Sequence, residues 1–288
     1  MGAPSPRPSL DRFLAPSTAR RKGTSQHVIE VVDSGGMHGF AKQVGDQRSW
    51  RVEVHAYRHW APALGNRAPT LRASSANLRT LLLSALPGRP PLRTDARAYR
   101  EAGVLLRQLH ESRPARMQQP SDLGRTSLRL ERLLARKPGL FTPAEVSFVR
   151  SHANRINDLR LDKKVPCHGD YTSQNWLVDA FDTLRVIDFG ASRRAIAASD
   201  FSQLFFGAWW RRPDLEAVFF EGYGRPLAEH ELEFIRLRMA TYAVQGIVFG
   251  HERGTHQHQD YGRARLADLM KGHQVQHRSP PSSSRTRP

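Results

Sequence analysis

Cysteine is almost absent from this chain of 288 residues: Cys167 stands alone, which excludes an internal disulfide and any cysteine-built zinc site. Long apolar runs are missing too. No stretch approaches the roughly 18 consecutive apolar residues of a membrane-crossing helix, and the opening MGAPSPRPSL leads into no apolar run that would read as a signal peptide. No membrane association is expected, and the expected location is cytoplasmic. Acidic side chains are in short supply, 27 Asp and Glu against 44 Lys and Arg, for a formal charge of +17. Such an imbalance raises nucleic acid as a partner. Its distribution argues otherwise, because residues 1–22 and 271–288 carry +8 of it in Pro/Ser/Arg-rich tails of the disordered type. The remainder lacks a basic stripe interleaved with aromatics and reads as a solvated surface, so no nucleic-acid partner is expected. The oligomeric state is not legible.

What is present is concentrated between Val165 and Gly190, VPCHGDYTSQNWLVDAFDTLRVIDFG. Two apolar runs, 176–178 and 184–187, flank the turn-forming DAFDT and read as a β-hairpin. Asp170 lies in the loop before the first strand, Asn175 at that strand's mouth and Asp188 at the end of the second, so all three meet at one end of the hairpin. Asn175 and Asp188 suit Mg²⁺, which takes one or two protein carboxylates and fills its shell with phosphate and water oxygens. Asp170 is then left to orient an acceptor hydroxyl. Cys167, beside His168, reads as a small packing residue rather than a nucleophile. His251, His256 and His258 are spaced by five and two, which suits no single helical face, so they read as a solvated loop rather than a metal site.

Upstream, β-type runs at 28–32 and 40–44 flank a glycine-dense turn, and a start near Thr18 gives strand, loop, strand, turn, strand. Lys42 falls on the last strand among apolar neighbours, a costly place for an ammonium without a partner. Segment 46–60 spaces Trp50, Val54, Tyr57 and Trp60 at near-helical intervals with Glu53 on the same broad face, which makes Glu53 the candidate partner. Pro62 and Gly65 end that helix, strands at 70–73 and 78–83 follow, and 84–88 interrupts the pattern. Helices are then expected at 95–110, 127–135 and 143–159, the first capped by Asp95 and the last by Thr142 with Pro143 next. Beyond the hairpin, 200–210, 213–223, 228–249 and 261–270 also read as helices.

The spacing HGDxxxxN followed by DFG thirteen residues after the Asn resembles the catalytic-loop and metal-binding pattern of the protein-kinase-like fold. With His168-Gly169-Asp170 in place of H-R-D, the chain resembles the aminoglycoside phosphotransferase family of small-molecule kinases. The resemblance implies an α+β, two-lobed protein-kinase-like fold with a small β-rich N-terminal lobe and a larger, mostly helical C-terminal lobe. The implied boundaries are a basic tail at 1–17, a nucleotide-binding lobe at 18–83, a hinge at 84–90, a helical lobe at 91–270 and a second tail at 271–288. It further implies ATP as donor, with GTP open, and Mg²⁺ on Asn175 and Asp188. Asp170 would be catalytic, Lys42 paired with Glu53 would hold the nucleotide phosphates, Gly23 and Ser25 would lie in a short phosphate loop, and the backbone of Ser84 and Leu86 would meet the adenine edge. Asp200 resembles an aspartate that braces the catalytic loop, a role compatible with an N-cap.

Only nine residues separate Gly190 from Asp200, too few for the peptide-docking segment of a protein kinase. The expected activity is therefore transfer of the γ-phosphoryl group to a hydroxyl of a small molecule, an aminoglycoside-like antibiotic or a metabolite alcohol. The alternative is a catalytically weak nucleotide-binding module that acts through a partner or RNA.

Overall fold

The computed structural model describes residues 18–20, 28–32, 36–92, 94–112, 123–159 and 164–272. Those residues divide into two compact units. The first holds the described residues up to Leu92 with those in 105–116 and 168–193, and the second holds the rest. No helix among them is long and apolar enough to cross a membrane.

The first unit is built on an antiparallel sheet of β1 (Thr18–Arg20), β2 (Val28–Val32), β3 (His38–Gln43), β4 (Leu71–Ser75) and β5 (Thr80–Ser84) in the order β1-β2-β3-β5-β4. Strand β3 is central, pairing Val28 with Lys42 on one side and Lys42 with Leu81 on the other. Because side chains alternate along a strand, Phe40 and Lys42 share one face and Ala41 points to the other, where it packs with Val31, Ile29 and Leu82. Helix α1 (Gln47–His59) follows at once. Its N-cap is Asp46, whose Oδ1 accepts from the backbone N–H groups of Arg48 and Ser49 at 2.9 Å each. The buried face of α1 carries Glu53, Val54, Ala56 and Tyr57, and Trp60 closes it. A 3-10 segment, Ala61–Arg67, contains Pro62 and Gly65 as the helix breakers.

The same unit contains the hairpin of β7 (Trp176–Val178) and β8 (Leu184–Val186), with Trp176 opposite Val186 and Val178 opposite Leu184. Trp176, Leu184 and Val186 are fully buried, so the alternation of the two short runs points one face inward. Short 3-10 turns, Ser173–Asn175 and Phe189–Ala191, stand at its two exits.

The second unit is helical. Helices α3 (Leu123–Arg136), α4 (Pro143–Asp158), α7 (Glu229–Glu252) and α8 (His256–Met270) enclose a core that includes Leu130, Leu133, Val149, Val244, Ile247 and Leu266. Thr142 and Glu145 form a reciprocal capping box at the start of α4. Helices α7 and α8 approach closely because Gly262 has no side chain; a Cβ there would lie 2.9 Å from the Ala243 carbonyl. An aromatic stack of Phe201, Trp209, Phe219, Phe220 and Tyr223 joins α5 (Ala198–Phe206) to α6 (Pro213–Tyr223). Helix α2 (Ala96–Glu111), of which the residues up to Val104 belong to the second unit and the rest to the first, starts where Asp95 Oδ1 accepts from the Ala98 N–H at 3.1 Å.

Several expectations shift in detail. Two short strands, β6 (Val165–Cys167) and β9 (Arg193–Ala195), were not anticipated. Helix α5 ends at Phe206 with Gly207 as its C-cap, and a separate 3-10 turn, Ala208–Arg211, follows. Asp200 is not its N-cap; Ala197 takes that position and Asp200 sits buried in the first turn. His256 and His258 open α8 rather than a loop, although both are exposed as expected of a solvated segment.

Candidate active site

Each exit of the hairpin delivers a polar side chain because the backbone ties the exits together: the Ile187 N–H donates to the Asn175 carbonyl at 2.9 Å. Asp188, the next residue, takes a left-handed conformation, φ 63° and ψ 73°. An Asp tolerates that geometry better than most side chains, yet it still costs on the order of 1 kcal/mol or more, so the surroundings must hold it. They do so at two points, since the Gly190 N–H donates to Asp188 Oδ1 at 3.2 Å and Lys42 Nζ donates to the same oxygen at 2.8 Å. The buried Tyr57 packs against the same turn, its ring centroid 5.2 Å from that of Phe189.

Lys42 reaches this point from β3 and makes a second bond of 2.8 Å to Glu53 Oε1 on α1. One ammonium thus joins two carboxylates. Burial pulls the Lys42 ammonium towards its neutral form, but Glu53 and Asp188 outweigh that and hold its pKa above the ordinary 10.5. Glu53 lies at 1% exposure, and burial raises its pKa in spite of Lys42. Asp188 is half-exposed; burial pushes its pKa up, and the Lys42 ammonium more than reverses this, leaving it lowered. Tyr57 stays neutral because burial, with Glu53 and Asp188 adding to it, drives its phenol well above its usual range.

Asp170 is positioned by the loop before β7. His168, fully buried, accepts the Asp170 N–H on Nδ1 at 3.3 Å, so its proton sits on Nε2 and is donated to the Ile187 carbonyl at 3.0 Å. That one imidazole links the Asp170 loop to the strand that carries Asp188. Gly169 is required between them. Its φ is +84°, and a Cβ would come within 2.0 Å of the Ala191 carbonyl. Asn175 Nδ2 donates to the Asp170 carbonyl at 2.8 Å and to Asp170 Oδ2 at 2.9 Å. Among the described residues, Asp170 Oδ1, Asn175 Oδ1 and Asp188 Oδ2 take no hydrogen bond.

Lys42, Glu53, Asp170, Asn175 and Asp188 therefore come together in one unit. The two uncommitted oxygens, an amide on Asn175 and a carboxylate on Asp188, are hard donors of the kind that suits Mg²⁺. At the linker, the Ser84 N–H donates to the Thr70 carbonyl at 2.9 Å, so Ser84 retains only its carbonyl for an outside partner. The Leu86 N–H donates no hydrogen bond among the described residues. Gly23 and Ser25 lie outside the described residues. Cys167 is buried, with its Sγ against the Ala195 and Ile196 carbonyls at 3.6 and 3.4 Å, as a packing residue should be. Two contributors escaped the sequence reading. Tyr57 is four residues beyond Glu53 and hence on its face of α1, a spacing that could have flagged it. His168 was visible in the motif, but its hydrogen bonds were not.

The family model described as "Phosphotransferase enzyme family" matches residues 18–235. Among curated proteins no sequence matches the chain. Among solved structures, choline kinase LicA from Streptococcus pneumoniae aligns with a TM-score of 0.67 at 14% identity, covering 89% of this chain and 95% of that one. An aminoglycoside phosphotransferase from Alicyclobacillus acidocaldarius aligns with a TM-score of 0.57 at 17% identity, covering 88% and 92%. The GDP and kanamycin complex of APH(2")-IIia aligns at 0.64 and 12%, covering 88% and 93%. At these identities the likeness establishes the fold, a two-lobed α+β protein-kinase-like architecture.

Proposed function

Because the chain belongs to the phosphotransferase enzyme family and is a small-molecule kinase, we propose that it transfers the γ-phosphoryl group of ATP to a hydroxyl of a small molecule. The observation that carries this reading is the joint placement of Lys42, Asp170, Asn175 and Asp188, with one oxygen left open on each of the last three. Asp170 accepts on Oδ2 from Asn175, which fixes the carboxylate plane and aims Oδ1 at an incoming hydroxyl. As the acceptor oxygen bonds to the γ-phosphorus, the bond from that phosphorus to the β,γ-bridging oxygen breaks and ADP leaves. Asp170 takes the hydroxyl proton. Lys42 offsets negative charge on the nucleotide, and Glu53 keeps the ammonium aimed. Asn175 and Asp188 would hold Mg²⁺, which when bound neutralises phosphate charge.

The Ser84 carbonyl and the Leu86 N–H supply the acceptor and donor that an adenine edge requires, and Gly23 and Ser25 complete the phosphate side. We assign 18–83 to the nucleotide lobe, 84–90 to the hinge and 91–270 to the helical lobe. GTP is the rival donor, since one structural relative was solved with GDP. The acceptor belongs to the range those relatives span, from aminoglycosides such as kanamycin to an amino alcohol of the choline type.

The test is a panel of antibiotics and metabolite alcohols incubated with ATP or GTP and Mg²⁺, read by nucleoside diphosphate release. Turnover on at least one hydroxyl compound is expected. Thermal stabilisation by nucleotide without turnover on any acceptor, together with salt-sensitive retention on RNA, would favour a catalytically weak binding module instead.

A further inference from the structure

The linker that follows β5 is hydrogen-bonded to the catalytic hairpin through a single antiparallel β-bridge. Arg89 pairs with Val178 of β7: the Arg89 N–H donates to the Val178 carbonyl at 3.1 Å, and the Val178 N–H donates back at 2.8 Å. Gly88 permits this approach. Its φ is +126°, and a Cβ would lie 2.9 Å from both the carbonyl carbon and the oxygen of Val178. A second tie comes from the hairpin's own turn. Arg185 on β8 is only 12% exposed; its Nη1 donates to Asp179 Oδ2 at 2.6 Å, to the Thr183 carbonyl at 3.4 Å and to the Pro87 carbonyl of the linker at 3.5 Å. Asp179, at 7% exposure, is itself held by the Phe181 and Thr183 N–H groups at 2.9 Å each.

This arrangement has a consequence for a bound nucleotide. Leu86 lies two residues before Gly88, and Asn175 lies three residues before Val178 on the same side of the hairpin as Asp188. We infer that Gly88, Arg185 and Asp179 are positioning residues that clasp the linker to β7 and so fix the base-binding backbone against the phosphate and metal end of the same ligand. The inference rests on the nucleotide reading above. A clasp of this kind acts on the alignment of a rigid two-ended ligand, so its loss should appear in nucleotide affinity before it appears in the chemical step.

The experiment measures ATP·Mg²⁺ binding by calorimetry, and KM for ATP and kcat on an accepted substrate, in the full chain and in Gly88→Ala, Arg185→Ala and Arg185→Lys. The alanine variants should weaken ATP·Mg²⁺ binding by about tenfold or more, as the loss of a charge-assisted or backbone bond in a buried setting does, with kcat at saturating ATP changed by less than about threefold. Arg185→Lys, which keeps a cation but not the fork, should fall between wild type and Arg185→Ala. Asp179→Asn serves where Gly88→Ala does not fold, because it keeps the turn's acceptor while weakening the hold on Arg185. Folded variants that bind ATP·Mg²⁺ as wild type does overturn the clasp, and so does a parallel fall of kcat, affinity and melting temperature, which a purely structural role would give. If the wild-type chain binds neither ATP nor GTP with Mg²⁺, the nucleotide reading fails and the clasp fails with it.

Discussion

The two ends of one hairpin each carry an aspartate bonded to a cation, and they are in opposite states. At the turn, Asp179 accepts from two backbone N–H groups and from Arg185, is almost fully buried, and is held at a pKa of about 2. At the open end, Asp188 is half-exposed, sits in left-handed backbone and keeps one carboxylate oxygen uncommitted. Its cation is shared, since Lys42 also bonds to Glu53. A carboxylate whose acceptors are all satisfied behaves as scaffolding. One with backbone strain, a shared counter-ion and an open oxygen has been held back for something outside the chain. The pairing of opposite charges does not distinguish the ends; the unfinished coordination does.

The largest expected effect lies at the open end. Asp170→Ala should lower turnover by ~10²–10⁴-fold, the range for loss of a general base, while nucleotide affinity stays within a few-fold. Steady-state rates and calorimetry on the same preparation check this. Asp179→Ala is the matching change at the closed end and should leave kcat within a few-fold. If the two substitutions cut kcat alike, the contrast between the ends is wrong.

Next comes Gly169→Ala, which tests the loop beneath Asp170. A Cβ there meets the Ala191 carbonyl at 2.0 Å and needs a positive φ, so a loss of about 2–5 kcal/mol in denaturant unfolding is expected. Gly36→Ala also has positive φ but no atom within 4 Å, and should cost only about 1–2 kcal/mol. Equal losses at the two glycines would show that conformation alone, and not the close approach to Ala191, governs the loop.

Much of this contrast was readable from residue order. The HGDxxxxN and DFG spacing located Asp170, Asn175 and Asp188, and the apolar alternation around them located β7 and β8, because both signals are local. The Lys42–Glu53 pair was also within reach, since a lysine among apolar neighbours demands a partner and the next helix offers one. What stayed hidden depends on tertiary approach. Nothing in the letters around Gly169 states that the Ala191 carbonyl will arrive there, and Arg185 reads as an ordinary strand arginine until the linker lies beside it. Strands β6 and β9, three residues each, are too short for any periodicity. The opening turn of α8, HQHQD, has no apolar face, so its helix is dictated by the packing of later residues such as Leu266.

A smaller effect follows from the pH dependence of the closed end. Arg185, first among the groups bonded to it, lowers the Asp179 pKa from 3.8 to about 2. A depressed carboxylate pKa stabilises the folded chain fully above 3.8, and that contribution is lost as pH falls through about 2. The stability difference between wild type and Asp179→Asn should therefore be constant at neutral pH and close progressively between pH 3.8 and about 2. Urea unfolding across that window measures it. A gap that is unchanged down to pH 2 would mean that the Asp179 charge contributes nothing to holding the turn.

The smallest expected change returns to the open end. Tyr57→Phe keeps the ring, which packs on Phe189 with centroids 5.2 Å apart, and removes only the hydroxyl, which is coupled electrostatically to the turn at Asp188 and Phe189. A hydrogen bond made by such a hydroxyl contributes about 0.5–1.5 kcal/mol to stability. If the hydroxyl also holds Asp188 in its left-handed conformation, turnover should fall by a few-fold more than the loss of folded protein explains, and the optimum Mg²⁺ concentration should rise. A stability loss with unchanged Mg²⁺ dependence would assign Tyr57 to packing alone. The Asp188 conformation would then rest on Lys42 and the Gly190 N–H, the two donors that remain on its Oδ1.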